Sequence, residues 1–138
     1  MEETKSQVLT ASCINGNYPR YVRDILPENL TNEILKTKYE GFRLVQMCAV
    51  NTKEGVMLNY SFGRGYELLC YHLFIDMNTP VMSISEIFPP AFLYENEIHD
   101  LFGVKIEHIS LDFKGNLYRL ETKTPYLRKE AEECQPEV

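Results

Sequence analysis

The residues best suited to chemistry stand close together in the run Glu95-Asn96-Glu97-Ile98-His99-Asp100. On a helix, Glu97 and Asp100 lie three apart and share one flank, while Glu95 and His99 lie four apart on the other. Neighbouring carboxylates can hold different protonation states, so Glu97 and Asp100 have the raw material for acid–base work. The same groups serve as acceptors for Arg, Lys or backbone N–H groups. Catalysis would also need a nucleophile, a metal motif or a glycine loop beside them, and the sequence supplies none, so the structural role is preferred.

His99-Asp100 resembles the metal-binding His-Asp pair of phosphohydrolases. A small metal-dependent hydrolase would need several more His and Asp ligands, and only His72 and His108 remain among the histidines. Adjacent helical residues also point about 100° apart and grip one ion poorly. His99 is therefore expected to be exposed or paired with Glu95. Gly63-Arg64-Gly65 joins two strands and opens no helix, so it lacks the aligned N–H groups of a phosphate loop. Cys13, Cys48, Cys70 and Cys134 are too scattered for an iron–sulfur or zinc site and read as free thiols. Nine Tyr and seven Phe are spread along the chain, as a core plus an interface would have them, rather than gathered as a flavin or quinone pocket.

Two helices and a sheet must position these residues. Pro27, Glu28, the apolar Leu30, Ile34 and Leu35, and Gly41 mark a helix over 28–40. Phe42 to Val50, the turn 51–55 and the alternating Val56, Leu58, Tyr60 and Phe62 form a hairpin. The near-continuous apolar run Tyr66 to Ile75 adds a third, central strand, covered on both faces by its own domain or a neighbour. Pro89-Pro90 precedes a helix over 90–102, on which Tyr94, Ile98, Leu101 and Phe102 make one apolar stripe between two polar edges, closed by Gly103. Val104 to Ile109 alternates like a short strand, and the first twenty-odd residues support at most a brief strand and a loop.

The chain has 138 residues, 44% hydrophobic and 25% charged, enough for one domain with a working core. Its net charge of -6 argues against nucleic acid or anionic lipid as a partner. No stretch reaches the roughly 20 apolar residues of a membrane-spanning helix, and MEETKSQ lacks the features of a signal peptide, so a soluble, cytoplasmic chain is expected. The expected fold is a single α+β domain over 1–120, a mainly antiparallel sheet of about four strands covered by two helices. An extended C-terminal arm, 121–138, has too little apolar surface to fold on itself.

The segment TPVMSISEIFPPAFLYENEIHDLFGV, Thr79 to Val104, resembles the signature region of the complex I 30 kDa subunit family. There an Ile-Phe-Pro run precedes E-R-E-x-x-D-[apolar]-F-G-[apolar], and Glu95, Glu97, Asp100, Leu101, Phe102 and Gly103 occupy the corresponding positions. Pro125 to Glu130 is similar to the family's P-L-R-K-[DE] stretch with one residue more. Asn96 stands where the family has Arg, and Leu117-Tyr118-Arg119-Leu120 matches its G-H-P-x-L-R-R run loosely.

The compact form is most similar to the corresponding subunit of membrane-bound energy-converting [NiFe] hydrogenases. A complex I-like NADH, ferredoxin or coenzyme dehydrogenase is the alternative. The resemblance implies a structural subunit without a cofactor of its own, peripheral on the cytoplasmic side of the membrane. It would sit beside a [NiFe] large subunit and an iron–sulfur small subunit and meet the membrane arm only indirectly. It also implies structural or interface roles for Glu95, Glu97, Asp100, Phe102, Gly103, Arg119, Arg128 and Lys129, the last two pinning the arm.

Overall fold

Alternation of apolar residues builds the sheet. A computed structural model of the chain describes residues 9–10 and 20–127. β1 is Leu9–Thr10, β2 Arg20–Ile25, β3 Arg43–Asn51, β4 Val56–Arg64 and β5 Glu67–Ile75, in the spatial order β1-β2-β5-β4-β3. β3, β4 and β5 form the expected antiparallel meander. Its first turn requires glycine, because a Cβ on Gly55 would stand 2.1 Å from the Ile75 carbonyl oxygen.

β2 departs from the expectation for the N-terminal region. It is a six-residue strand and runs parallel to β5, from Arg20 beside Leu68 to Ile25 beside Leu73. Its sequence, RYVRDI, carries three charges and gives little period-2 signal. What orders it is a partner more than forty residues downstream, which also makes β5 central as anticipated.

Pro27–Asn29 forms a 3-10 turn, closed by the Asn29 N–H on the Leu26 carbonyl at 3.0 Å, and α1 is Leu30–Tyr39. The regular helix thus starts two residues later than the proline suggested. α2 is Ala91–Phe102. Leu30 and Ile34 of α1, and Ala91 and Ile98 of α2, share one core with Val56, Leu58, Tyr60, Phe62, Tyr71 and Leu73 of the sheet. Both helices therefore lie on one face. On the other, Val50, Met57 and Phe74 stand side by side, with Val50 47% and Phe74 54% exposed, so the described residues of this chain leave that face of the sheet partly open.

A second, two-stranded sheet joins the chain before α2 to the chain after it. β6, Val81–Met82, pairs in parallel with β7, Ile106–Glu107. The strand expected over 104–109 is only this long, since His108 takes a left-handed backbone (φ 63°) and turns the chain away. The first residues of the expected arm fold back onto α2: Tyr126 N–H reaches the Leu101 carbonyl at 2.8 Å, and its ring centroid lies 5.4 Å from that of Phe102. Arg128, Lys129, Cys13 and Cys134 lie outside the described residues.

Candidate functional site: the polar flanks of the second long helix

The flanks of α2 are not open edges. Glu95, Asn96 and Asp100 are buried, at 1%, 0% and 4% exposure, because the segments before and after the helix wrap over them. On one flank Glu95 accepts the Ile84 N–H at 2.7 Å and the Ser83 hydroxyl. Having donated to Glu95, Ser83 must accept from Ser85 at 2.7 Å, and Ser85 in turn accepts the Ser110 N–H at 2.9 Å. This directed chain fixes the helix to the loops beside β6 and β7. Burial pushes the Glu95 carboxyl up to about 6, against the opposing pull of the Ser83 and Ile84 donors. Its charge and burial together raise the phenol of Tyr60 from the core side, burial being the larger cause.

On the other flank Asn96 donates to the carbonyls of Phe92 at 2.7 Å and Leu111 at 2.8 Å, and accepts the Phe113 N–H at 2.9 Å. Asp100 accepts the Tyr118 N–H at 3.0 Å through Oδ2, while its Oδ1 is buried without a hydrogen-bond partner among the described residues. Glu97 is half-buried, and its negative charge raises the phenol of exposed Tyr118. His99 does not pair with Glu95. Its Nδ1 lies 2.9 Å from the Val104 carbonyl and must carry the proton there, which directs Nε2 outward.

Gly103 closes the helix at φ 73°, with its N–H on the His99 carbonyl at 3.0 Å. A Cβ there would also come within 3.2 Å of Thr124 Cγ2, so the position is restricted twice. Arg119 is exposed and lies on the wall of a cleft of about 450 Å³ at this end of the helix, with Lys114 and Lys123.

Chemically, Glu95 and Asp100 are held by hydroxyl and N–H donors of their own chain. None of Glu95, Glu97 and Asp100 is in an ion pair with Lys or Arg among the described residues. Nor, among those residues, do three or more His, Cys, Asp or Glu side chains gather as metal ligands. Cys48 and Cys70 are free thiols. No described helix is long and apolar enough to cross a membrane.

Sequence reasoning placed the carboxylates on their helix but missed their partners. The Ser83 hydroxyl and the N–H groups of Ile84 and Tyr118 come from segments before and after the helix. Asn96, noted only as a departure from a motif, is the most fully buried polar residue of the helix. The one available signal was the Ser-x-Ser alternation at Ser83 and Ser85, twelve and ten residues before Glu95.

The profile of the family described as "Respiratory-chain NADH dehydrogenase, 30 Kd subunit" matches residues 24–129, which include both flanks of α2 and the segments that cover them. No curated protein matches the chain. Among solved structures, a chain of the membrane-bound sulfane sulfur reductase, an archaeal respiratory membrane complex, superposes with a TM-score of 0.65 at 18% identity. The match covers 84% of this chain and 72% of that one, and at this identity it establishes the shared fold.

Proposed function

Because the chain belongs to the family of the 30 kDa subunit of respiratory-chain NADH dehydrogenase, we propose that it is a structural subunit of a membrane-bound respiratory complex, with no cofactor of its own. The family match over 24–129 carries this reading. The geometry of α2 supports it: two of its acidic residues are bound by donors of the same chain, and among the described residues no group of three His, Cys, Asp or Glu gathers around them as metal ligands. Such an arrangement makes a rigid wedge. In the assembly, Glu97 and Arg119 face neighbouring subunits, Glu95, Asp100, Phe102 and Gly103 keep the helix in place, and Arg128 and Lys129 pin the arm.

The finer reading is an energy-converting [NiFe] hydrogenase, in which the nickel–iron centre and iron–sulfur clusters belong to partner subunits. The chain would then lie on the cytoplasmic side, held to the membrane through those partners. The fold shared with a chain of the archaeal sulfane sulfur reductase favours a second reading, a complex of similar build with another terminal reaction.

Affinity purification of a tagged copy from gently solubilised membranes tests both. A large subunit with paired C-x-x-C motifs and hydrogen evolution in the eluate supports the hydrogenase. A large subunit without them supports the second reading. A chain recovered alone overturns the proposal.

A further inference from the structure

We infer that the cleft at the C-terminal end of α2 seats an acidic segment of a neighbouring subunit, an interface that rests on the functional reading above. Lys114, Arg119 and Lys123 stand on its wall, all exposed. None is in an ion pair among the described residues. Three cations within ten residues, unpaired among the described residues and on a chain of net charge -6, form a local field that an anionic partner satisfies.

The floor narrows the chemistry. It is formed by Asp100, 96% buried by its 4% exposure, whose Oδ1 lacks a donor among the described residues. Oδ1 and His99 Nε2 lie 4.0 and 3.9 Å from where a Cβ on Gly115 would stand. The floor is also the carbonyl end of a helix, which carries partial negative charge. A small free anion such as phosphate meets a carboxylate there, and a simple cation meets three positive charges at the rim.

A polypeptide resolves both. One backbone N–H or hydroxyl points inward to Asp100 Oδ1, and Asp or Glu side chains on either side reach Lys114, Arg119 and Lys123. Partly exposed Tyr118 (44%) and Leu120 (37%) give such a segment apolar contact, the mixed character of a protein interface. Lys114 and Gly115, both left-handed at φ 53° and 82°, form a turn beside Oδ1, and the entering segment shifts it to reach that atom.

The test places a photo-crosslinking amino acid at Leu120 in the tagged full chain and irradiates the membrane complex. The expected product is a cross-link to an Asp- or Glu-rich peptide of another subunit. In a Lys114→Glu/Lys123→Glu variant, cross-linking and recovery of the chain with the complex fall about tenfold or more. A control of equal charge change, Lys53→Glu/Lys105→Glu, leaves both unchanged. Thermal melting of the purified chains shows that the cleft variant is folded. A cross-link to lipid, to a peptide without acidic residues, or undiminished cross-linking in the cleft variant overturns the inference while the functional reading stands. Failure of the unaltered chain to co-purify with any complex overturns both.

Discussion

Asn96 accepts the backbone N–H of Phe113 at 2.9 Å while its amide holds the Leu111 carbonyl at 2.8 Å, so one buried side chain satisfies both ends of a three-residue loop. The loop has no strand or helix of its own there. Its path beside α2 is set by this amide, and the same segment goes on to give Asp100 the Tyr118 N–H and the cleft its basic wall.

Removing that amide strands a part-buried donor and a part-buried acceptor. Asn96→Ala is expected to cost about 2 to 4 kcal/mol, the sum of two unsatisfied groups and the space left by the side chain. Chemical denaturation of the purified chain measures it, and a loss below about 0.5 kcal/mol would mean that water replaces the amide freely.

Glu95 makes stability depend on pH. Its carboxyl is raised from 4.5 to about 6, so below pH 4.5 it is protonated whether folded or unfolded and burial exacts no ionic penalty. Between 4.5 and 6 the unfolded chain releases the proton while the folded chain retains it. Stability from this group therefore falls as pH rises through that window, by about 2 kcal/mol in all, and is flat above it. Glu95→Gln should remove this slope. Denaturation midpoints at pH 4 to 7 compare the two chains, and a variant keeping the full slope would assign it to another group.

Gly103 carries both a left-handed backbone and a tight neighbour. Gly103→Ala is expected to cost about 1 to 2 kcal/mol, and part of this should return in a Thr124→Ala background, since Thr124 Cγ2 is what a Cβ would approach at 3.2 Å. Equal costs in both backgrounds would assign the whole effect to backbone strain.

The segment before residue 128 is fastened lightly. Tyr126 is 55% exposed and held by its ring contact with Phe102, by its backbone N–H on the Leu101 carbonyl and by the Asn51 side-chain amide on its own carbonyl. Tyr126→Ala should leave global stability within about 1 kcal/mol yet hasten trypsin cleavage at Lys123. An unchanged cleavage rate would show that the backbone bonds suffice.

Thr37 and Tyr71 join α1 to the sheet. The Thr37 hydroxyl donates to the Glu33 carbonyl at 2.8 Å, so it must accept from the Tyr71 hydroxyl, also at 2.8 Å. Thr37→Val keeps the shape and removes the acceptor, with an expected cost of about 1 to 2 kcal/mol; Tyr71→Phe in the same chain should recover some of it. A double-mutant cycle with no coupling would contradict the hydrogen bond.

Period, proline and glycine by themselves determined the two helices, the three-stranded meander and the close of α2 at Gly103, because each depends on residues a few positions apart. The signature Glu95, Glu97, Asp100, Leu101, Phe102 and Gly103 likewise located the family from one segment. Tertiary structure alone decided the strand β2 and its parallel place beside β5, which rest on hydrogen bonds to residues some 48 positions away. It also decided what the polar flanks of α2 do. A carboxylate on a helix reads the same in sequence whether it faces water, a partner or a buried N–H, and only the return of Ser83, Ile84 and Tyr118 to the helix settled which donors meet it.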